Sequence, residues 1–233
     1  MVNAYRVKIK EENFRLTRKN FWVICIDYQP KIYEGAWGKN IQDKTKGSQF
    51  YRGFTSRIDA EAALNKLRDL DIEHVPAKVR QNVEEKENNL QNGQVIVFTD
   101  GSFKNGTGKQ AAGWGYYGKY KKNDEINPLE DHGNVKGKGA KQVNGEITAA
   151  LNAVQAAIDL GLQKVDLYCD FWNLMLWDCG FYESKKEVSK DFVKQMKDLE
   201  SQIEVHFHWS PGHTGIPYNE KADELAKRGF DEA

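Results

Sequence analysis

Two stretches of this chain run apolar residues straight into an aspartate: "VIVFTD", residues 95–100, and "KVDLYCD", residues 164–170. Their β-branched and aromatic content predicts a strand in each. An acid at the end of a buried strand loses its hydration unless it is hydrogen-bonded, protonated or holding a cation. Neighbouring strands lie about 4.8 Å apart, so pairing of these two would set Asp100 beside Asp170. The fold is thereby expected to form around a place where negative charge collects.

Two predicted helices bring further acids. In "GEITAALNAVQAAIDLG", closed by Gly161, residues Glu146, Ala150, Ala153 and Ala157 share the face that should meet a sheet. In "NEKADELAKRG", Asp223 falls beside Ala222, Leu225 and Ala226. Either helical acid alone would ordinarily be a rim residue exposed to water. Taken together, and with no lysine or arginine expected on the same helix faces or strand ends, the four acids point to hard divalent cations. Mg²⁺ suits oxygen ligands and phosphates, and two ions about 4 Å apart would suit phosphodiester cleavage. The remaining pattern reads as a strand at "AAGWGYYGKY", a strand or loop around "EDHGNVKGKG", a short helix at "FWNLMLWDCG", a helix at "SKDFVKQMKDLE" and a strand at "IEVHFHWSPG". Strands followed by alternation predict an α/β fold with a mixed sheet flanked by helices. His206 and His208 alternate with apolar residues on the last strand; they are expected to face solvent or a helix and to carry no chemistry.

The 34 basic and 34 acidic residues of this 233-residue chain hide a split. Residues 1–57 hold 12 Lys and Arg against 5 Asp and Glu, and residues 91–233 hold 17 against 21, which suggests a basic binding arm and an acidic working half. Cys25, Cys169 and Cys179 are odd in number and lack metal-ligand spacing, as expected of reduced thiols. With no signal peptide or membrane-length apolar run in evidence, the protein is expected to be soluble and cytoplasmic. The polar text after Leu70 reads as a linker over residues 72–93, with room for a short helix, between a first domain at 21–71 and a second at 94–233; residues 1–20 form an N-terminal extension whose "RLTRKN" would add phosphate contacts.

"TDGS", the glutamate opening an alanine-rich helix, "YCD" and "HTGIPYNEKADELA" together resemble the type 1 ribonuclease H family over essentially all of residues 94–229. The resemblance implies a mixed five-stranded sheet flanked by helices and endonucleolytic cleavage of the RNA strand of RNA–DNA hybrids by two Mg²⁺ or Mn²⁺ ions, with no other cofactor and little sequence preference. It implies Asp100, Glu146, Asp170 and Asp223 as metal ligands, with Asp223 the most replaceable. His213 matches the family's mobile histidine, credited with proton transfer or product release. The family often has serine after its third acid, where Phe171 stands here. Gln142 and Asn144 are candidates for touching bases or the 2′-hydroxyl, and Asn144 equally for capping its helix. Other readings are a different nuclease or strand-transfer enzyme on the same fold, and a noncatalytic hybrid-binding protein.

Residues 21–67 are similar to the small α/β hybrid-binding domain at the amino end of many such enzymes, through "IYEGAW", "FYRGFTS" and a closing alanine-rich helix. On that resemblance Trp37 and Tyr51 would stack on deoxyribose or bases, and Arg52 would neutralise a phosphate. Trp22, Ile24, Phe50 and Phe54 are expected to make the small core. Gly53 stands where a second lysine is common.

Overall fold

Val, Ile, Phe and Tyr cluster in short runs separated by Gly, Asn and Asp, and the strand ladders form at those runs. A computed structural model describes residues 18–68, 70–106, 108, 110–137 and 141–233, and the expectations for residues 1–17 lie outside it. The chain divides into two compact units, residues 1–69 with Cys179–Tyr182, and Leu70–Asp178 with Glu183–Ala233. None of the described helices is long and apolar enough to cross a membrane.

In the first unit, β1 (Phe21–Ile26) lies between β2 (Gln29–Glu34) and β3 (Phe50–Phe54) in an antiparallel sheet. Asp27 and Tyr28, both at positive φ (51° and 60°), make the tight turn that matches strand twist. Helices α1 (Lys39–Thr45) and α2 (Arg57–Lys66) follow, the second capped by Ser56, whose side chain accepts the Asp59 N–H. Trp22, Ile24 and Ile41 form the core cluster, and Phe50 and Phe54 are also buried. Phe181 packs edge-on against Phe50 at 5.4 Å, so Cys179–Tyr182, which the sequence reading set within residues 94–233, complete this unit.

The second unit holds β4 (Asp71–Ile72), β5 (Gln94–Ser102), β6 (Ala111–Lys122), β7 (Glu125–Lys136), β8 (Lys164–Cys169) and β9 (Glu204–Trp209), in the order β4-β9-β8-β5-β6-β7. The neighbours from β4 to β5 pair in parallel, and β5, β6 and β7 pair antiparallel. The helices are α3 (Pro76–Asn88), α4 (Gln142–Asp159), α5 (Trp172–Asp178), α6 (Glu187–Glu200) and α7 (Pro217–Asp231). The mixed α/β sheet was expected with five strands and has six, because two residues at the supposed domain edge extend it beside β9. The stretch read as a linker instead supplies a 13-residue helix, whose Val79 and Val83 join Ile96, Phe98 and Tyr168 in one buried cluster. Two valines one turn apart suffice for that docking, and a stretch otherwise so polar concealed it.

The β4 edge is fastened by charge. His208 is buried, with Nδ1 2.7 Å from Asp71 Oδ2 and Nε2 2.6 Å from Asp166 Oδ1, and Lys86 of α3 also donates to Asp166. Burial works against the imidazolium, but the hydrogen bonds to Asp166 and Asp71 hold its pKa above the usual value. Of the two alternatives for His208, the helix rather than solvent covers it; His206 is the exposed one.

Helix α4 approaches the sheet backbone to backbone. A Cβ on Gly145 would lie 2.2 Å from the Gly113 carbonyl oxygen and 3.0 Å from the Gly101 Cα, and Ala149, Ala150, Ala153 and Ala157 continue the close face. Gly145→Ala is therefore expected to destabilise the protein by roughly 1–3 kcal/mol, through overpacking against backbone that cannot rotate away. An unchanged denaturant midpoint would contradict this account of the helix–sheet contact.

Candidate active site

In the parallel β5–β8 pair, Phe98 stands opposite Tyr168, so Asp100 and Asp170 lie two residues further along adjacent chains. Gly145 brings α4 down onto Gly101, which delivers the next residue, Glu146, to the same point. One oxygen from each of Asp100, Glu146 and Asp170 lies within 4.8 Å of the others. Glu146 is only 1% exposed, so it is no rim acid. Its Oε1 accepts the Gln142 Nε2 hydrogen at 3.3 Å, while Oε2 is buried with no hydrogen-bond partner. The Gly101 N–H donates to Asp100 Oδ1 at 2.7 Å.

Asp170 is held from behind. The Trp209 indole donates to its carbonyl at 2.9 Å, and Trp172 stacks on Trp209 with centroids 4.4 Å apart. A Cβ on Gly212 would lie 2.1 Å from Asp170 Oδ2, so only glycine lets the "SPGH" loop pass the carboxylate. Gly212 is a site residue that the sequence reading missed. Its one signal was a glycine directly before the histidine.

The electrostatics follow from this crowding. Burial, then the charges of Asp170 and Asp223, push Asp100 up to about 8. Burial, then Asp100 and Asp170, raise Glu146 well above the carboxylate range. Burial also raises Asp170, opposed by the nearby His213. Asp166 is the contrast: burial would raise it too, but hydrogen bonds from His208 and Lys86 carry it down to about 2. Buried acids hydrogen-bonded to cations ionise; among the described residues no lysine, arginine or histidine hydrogen-bonds to the three at the site, and the charges of His213 and Lys227 oppose their rise only in part.

Asp223 stands slightly apart. It raises the pKa of both Asp100 and Asp170, yet Lys227, one helical turn on, donates to its Oδ2. The expectation that no cation shares these faces is corrected here, because the i,i+4 spacing sets Lys227 beside Asp223. His213 is exposed, at φ 53°, in the loop before α7. The Asn144 side chain accepts the Lys141 N–H at 3.0 Å, so it caps α4. Trp37 and Tyr51 are 43% and 41% exposed and stacked at 6.0 Å, with Trp37 also against Trp22. Arg52 donates to the Phe181 carbonyl and lies over the Phe54 ring, so its guanidinium already has partners. Gly53 has a steric reason: a Cβ there would meet the Trp22 ring at 2.5 Å.

Three convergent carboxylates, one with an unpartnered buried oxygen, fit a hard divalent cation, which would favour their ionised forms. Between about pH 4, where an unfolded aspartate titrates, and about 8, the fold holds a proton on Asp100 that the unfolded chain releases. Without metal this group's contribution to stability is full below that window and is lost as pH rises through it. Compared with Asp100→Asn, the wild type should lose thermal stability with rising pH in chelator and regain it with Mg²⁺. Parallel pH profiles for the two proteins, or equal Mg²⁺ shifts, would refute this.

An RNase H family model matches residues 92–231. The chain is 31% identical over 153 residues to a ribonuclease H of Rhizobium etli, covering 59% of this chain and 91% of that protein. It is 30% identical over 155 residues to a ribonuclease H of Legionella pneumophila, covering 60% and 98% respectively. Among solved structures, LC9-RNase H1, a type 1 RNase H with the type 2 active-site motif, shares the fold at a TM-score of 0.50 and 17% identity, over 61% of this chain and 74% of that chain. With more than half of its length matched by the family model and its buried acids gathered at one point, the chain belongs to the RNase H family.

Proposed function

We propose that this protein is an endonuclease that hydrolyses the RNA strand of RNA–DNA hybrids, using two Mg²⁺ ions, or Mn²⁺ in their place. The observation that carries the reading is the meeting of Asp100, Glu146 and Asp170 within 4.8 Å, two of them buried, in a chain of this family. Bound divalent ions would supply activation of the attacking water and stabilisation of the departing oxygen. Asp100 and Asp170 would hold them from adjacent strand ends and Glu146 from α4, where it would help position the ion nearer the ribose hydroxyl; Asp223 would complete the set. Asp223 is the most replaceable of the four, which its Lys227 partner supports.

In the reaction one phosphorus–oxygen bond forms to water, one breaks, and the departing oxygen acquires a proton. His213, exposed and next to a glycine, moves that proton or assists release of product. Gln142 orients Glu146 through its amide hydrogen bond and is the candidate for touching the 2′-hydroxyl or a base. A hybrid is recognised by its groove and by the 2′-hydroxyl of one strand, so sequence preference is weak.

The first unit is proposed as a hybrid-binding domain. Its support is the exposed Trp37–Tyr51 pair, a platform on which sugars or bases can stack, and the excess of basic residues before position 58. Arg52 contributes chiefly by fixing the Tyr51 strand through Phe181.

Labelled hybrid, duplex RNA, duplex DNA and single-stranded RNA should show cleavage of the hybrid's RNA strand alone, in Mg²⁺ or Mn²⁺. Asp100→Asn should lower the rate on the order of 1,000-fold while hybrid binding persists, because removing one ligand charge disables the metal chemistry and leaves the binding surfaces. An intact hybrid in both metals, or preferential cutting of duplex DNA, would overturn the reading. Trp37→Ala is expected to weaken hybrid binding about tenfold, the loss of one stacking partner, with kcat unchanged; an unaltered affinity would remove Trp37 from the binding surface.

A further inference from the structure

Helix α3 precedes the span matched by the family model, yet it is built into the catalytic unit. Val79, Val83 and Leu90 share a core cluster with Ile216 and Ala222, at the start of α7. Near the end of α3, Glu87 accepts hydrogen bonds from the Tyr218 hydroxyl and from Lys119. Helix α3 and the loop that leads into α7 are thus packed as one body.

Arg80 follows Val79 and reaches that loop. Its Nη1 donates to the carbonyls of Thr214 at 3.4 Å and Gly215 at 3.5 Å, the two residues directly after His213. Among the described residues Arg80 makes no ion pair, and its hydrogen bonds, both long, go to this loop. The loop needs external support. His213 and Gly215 both take positive φ, at 53° and 72°, and a residue with a side chain holds that conformation only when its surroundings enforce it. Among the described residues its other side-chain hydrogen bonds are the Thr214 hydroxyl on the Pro211 carbonyl at 2.9 Å and the Gly215 N–H on Glu220 of α7 at 3.0 Å. Neither bond fixes the carbonyls of Thr214 and Gly215, the groups that Arg80 holds.

We propose that Arg80 is a positioning residue for His213, so that a helix outside the family's matched span is part of the catalytic apparatus. This inference rests on the reading that His213 serves the hydrolysis. It acts through loop geometry, so its loss should lower turnover and spare both hybrid affinity and the three-carboxylate site.

The test is a double-mutant cycle on the full chain, with steady-state cleavage of a labelled hybrid in Mg²⁺. Arg80→Ala should lower kcat about fivefold and change KM less than about twofold; in a His213→Ala background it should cost less than about twofold more, the non-additivity expected of coupled residues. Arg80→Lys, which keeps a charged donor, should recover most of the rate. Should the alanine variant fail to fold, Arg80→Gln takes its place in the cycle. Equal losses in the two backgrounds, or no loss in the wild type when His213→Ala is impaired, would overturn the role of Arg80. A fully active His213→Ala would instead overturn the reading of His213, and this inference with it.

Discussion

Three carboxylates, two buried and one half-buried, meet at one point, and their repulsion governs what surrounds them. A buried charge is costly and a cluster of like charges more so, which is why the pKa values of Asp100, Glu146 and Asp170 are all raised. The chain offsets that cost with the apolar strands behind them, where Val95, Ile96, Val97, Phe98 and Leu167 are completely buried. Among the described residues the three acids receive no direct hydrogen bond from a cation such as Lys86 and His208 give Asp166 a few residues away. That unequal treatment of two kinds of buried acid separates a structural ion network from a site waiting for charge.

Close backbone approach sets the geometry. Glu146 can meet Asp100 because Gly145 and Gly101 leave no side chains between helix and strand. Asp170 is fixed by Trp209 and Trp172 on one side, and by the passage of Gly212 on the other. The loop carrying His213 therefore leaves the site at a defined place, and its far side is met by α3. A polar stretch between two apparent domains thus contributes to the sheet edge, to the core and to the surroundings of the site.

The two units answer to different physics. The second gathers negative charge, while the first leaves a stacked aromatic pair at its surface above a small apolar core. Gly53 marks the compromise in the first unit, where room for the Trp22 ring excludes any side chain. On the proposed reading, the first unit supplies affinity for nucleic acid and the second turns that binding into cleavage of one strand.

The sequence by itself determined the strands that end in Asp100 and Asp170, the alanine face that carries Glu146 inward, the last helix with Asp223 and the α/β class, because each is a local pattern of apolar spacing and of the acid that interrupts it. Only the tertiary structure decided how near the acids come to one another, with oxygens of Asp100, Glu146 and Asp170 within 4.8 Å. It also decided that a helix at Pro76–Asn88 packs into the second unit's core, that a sixth strand extends the sheet edge through Asp71, His208 and Asp166, and that Arg80 meets the His213 loop. Those features join residues up to 137 positions apart along the chain. No local pattern encodes such partners; they exist only once the packed sheet and helices have brought the segments together.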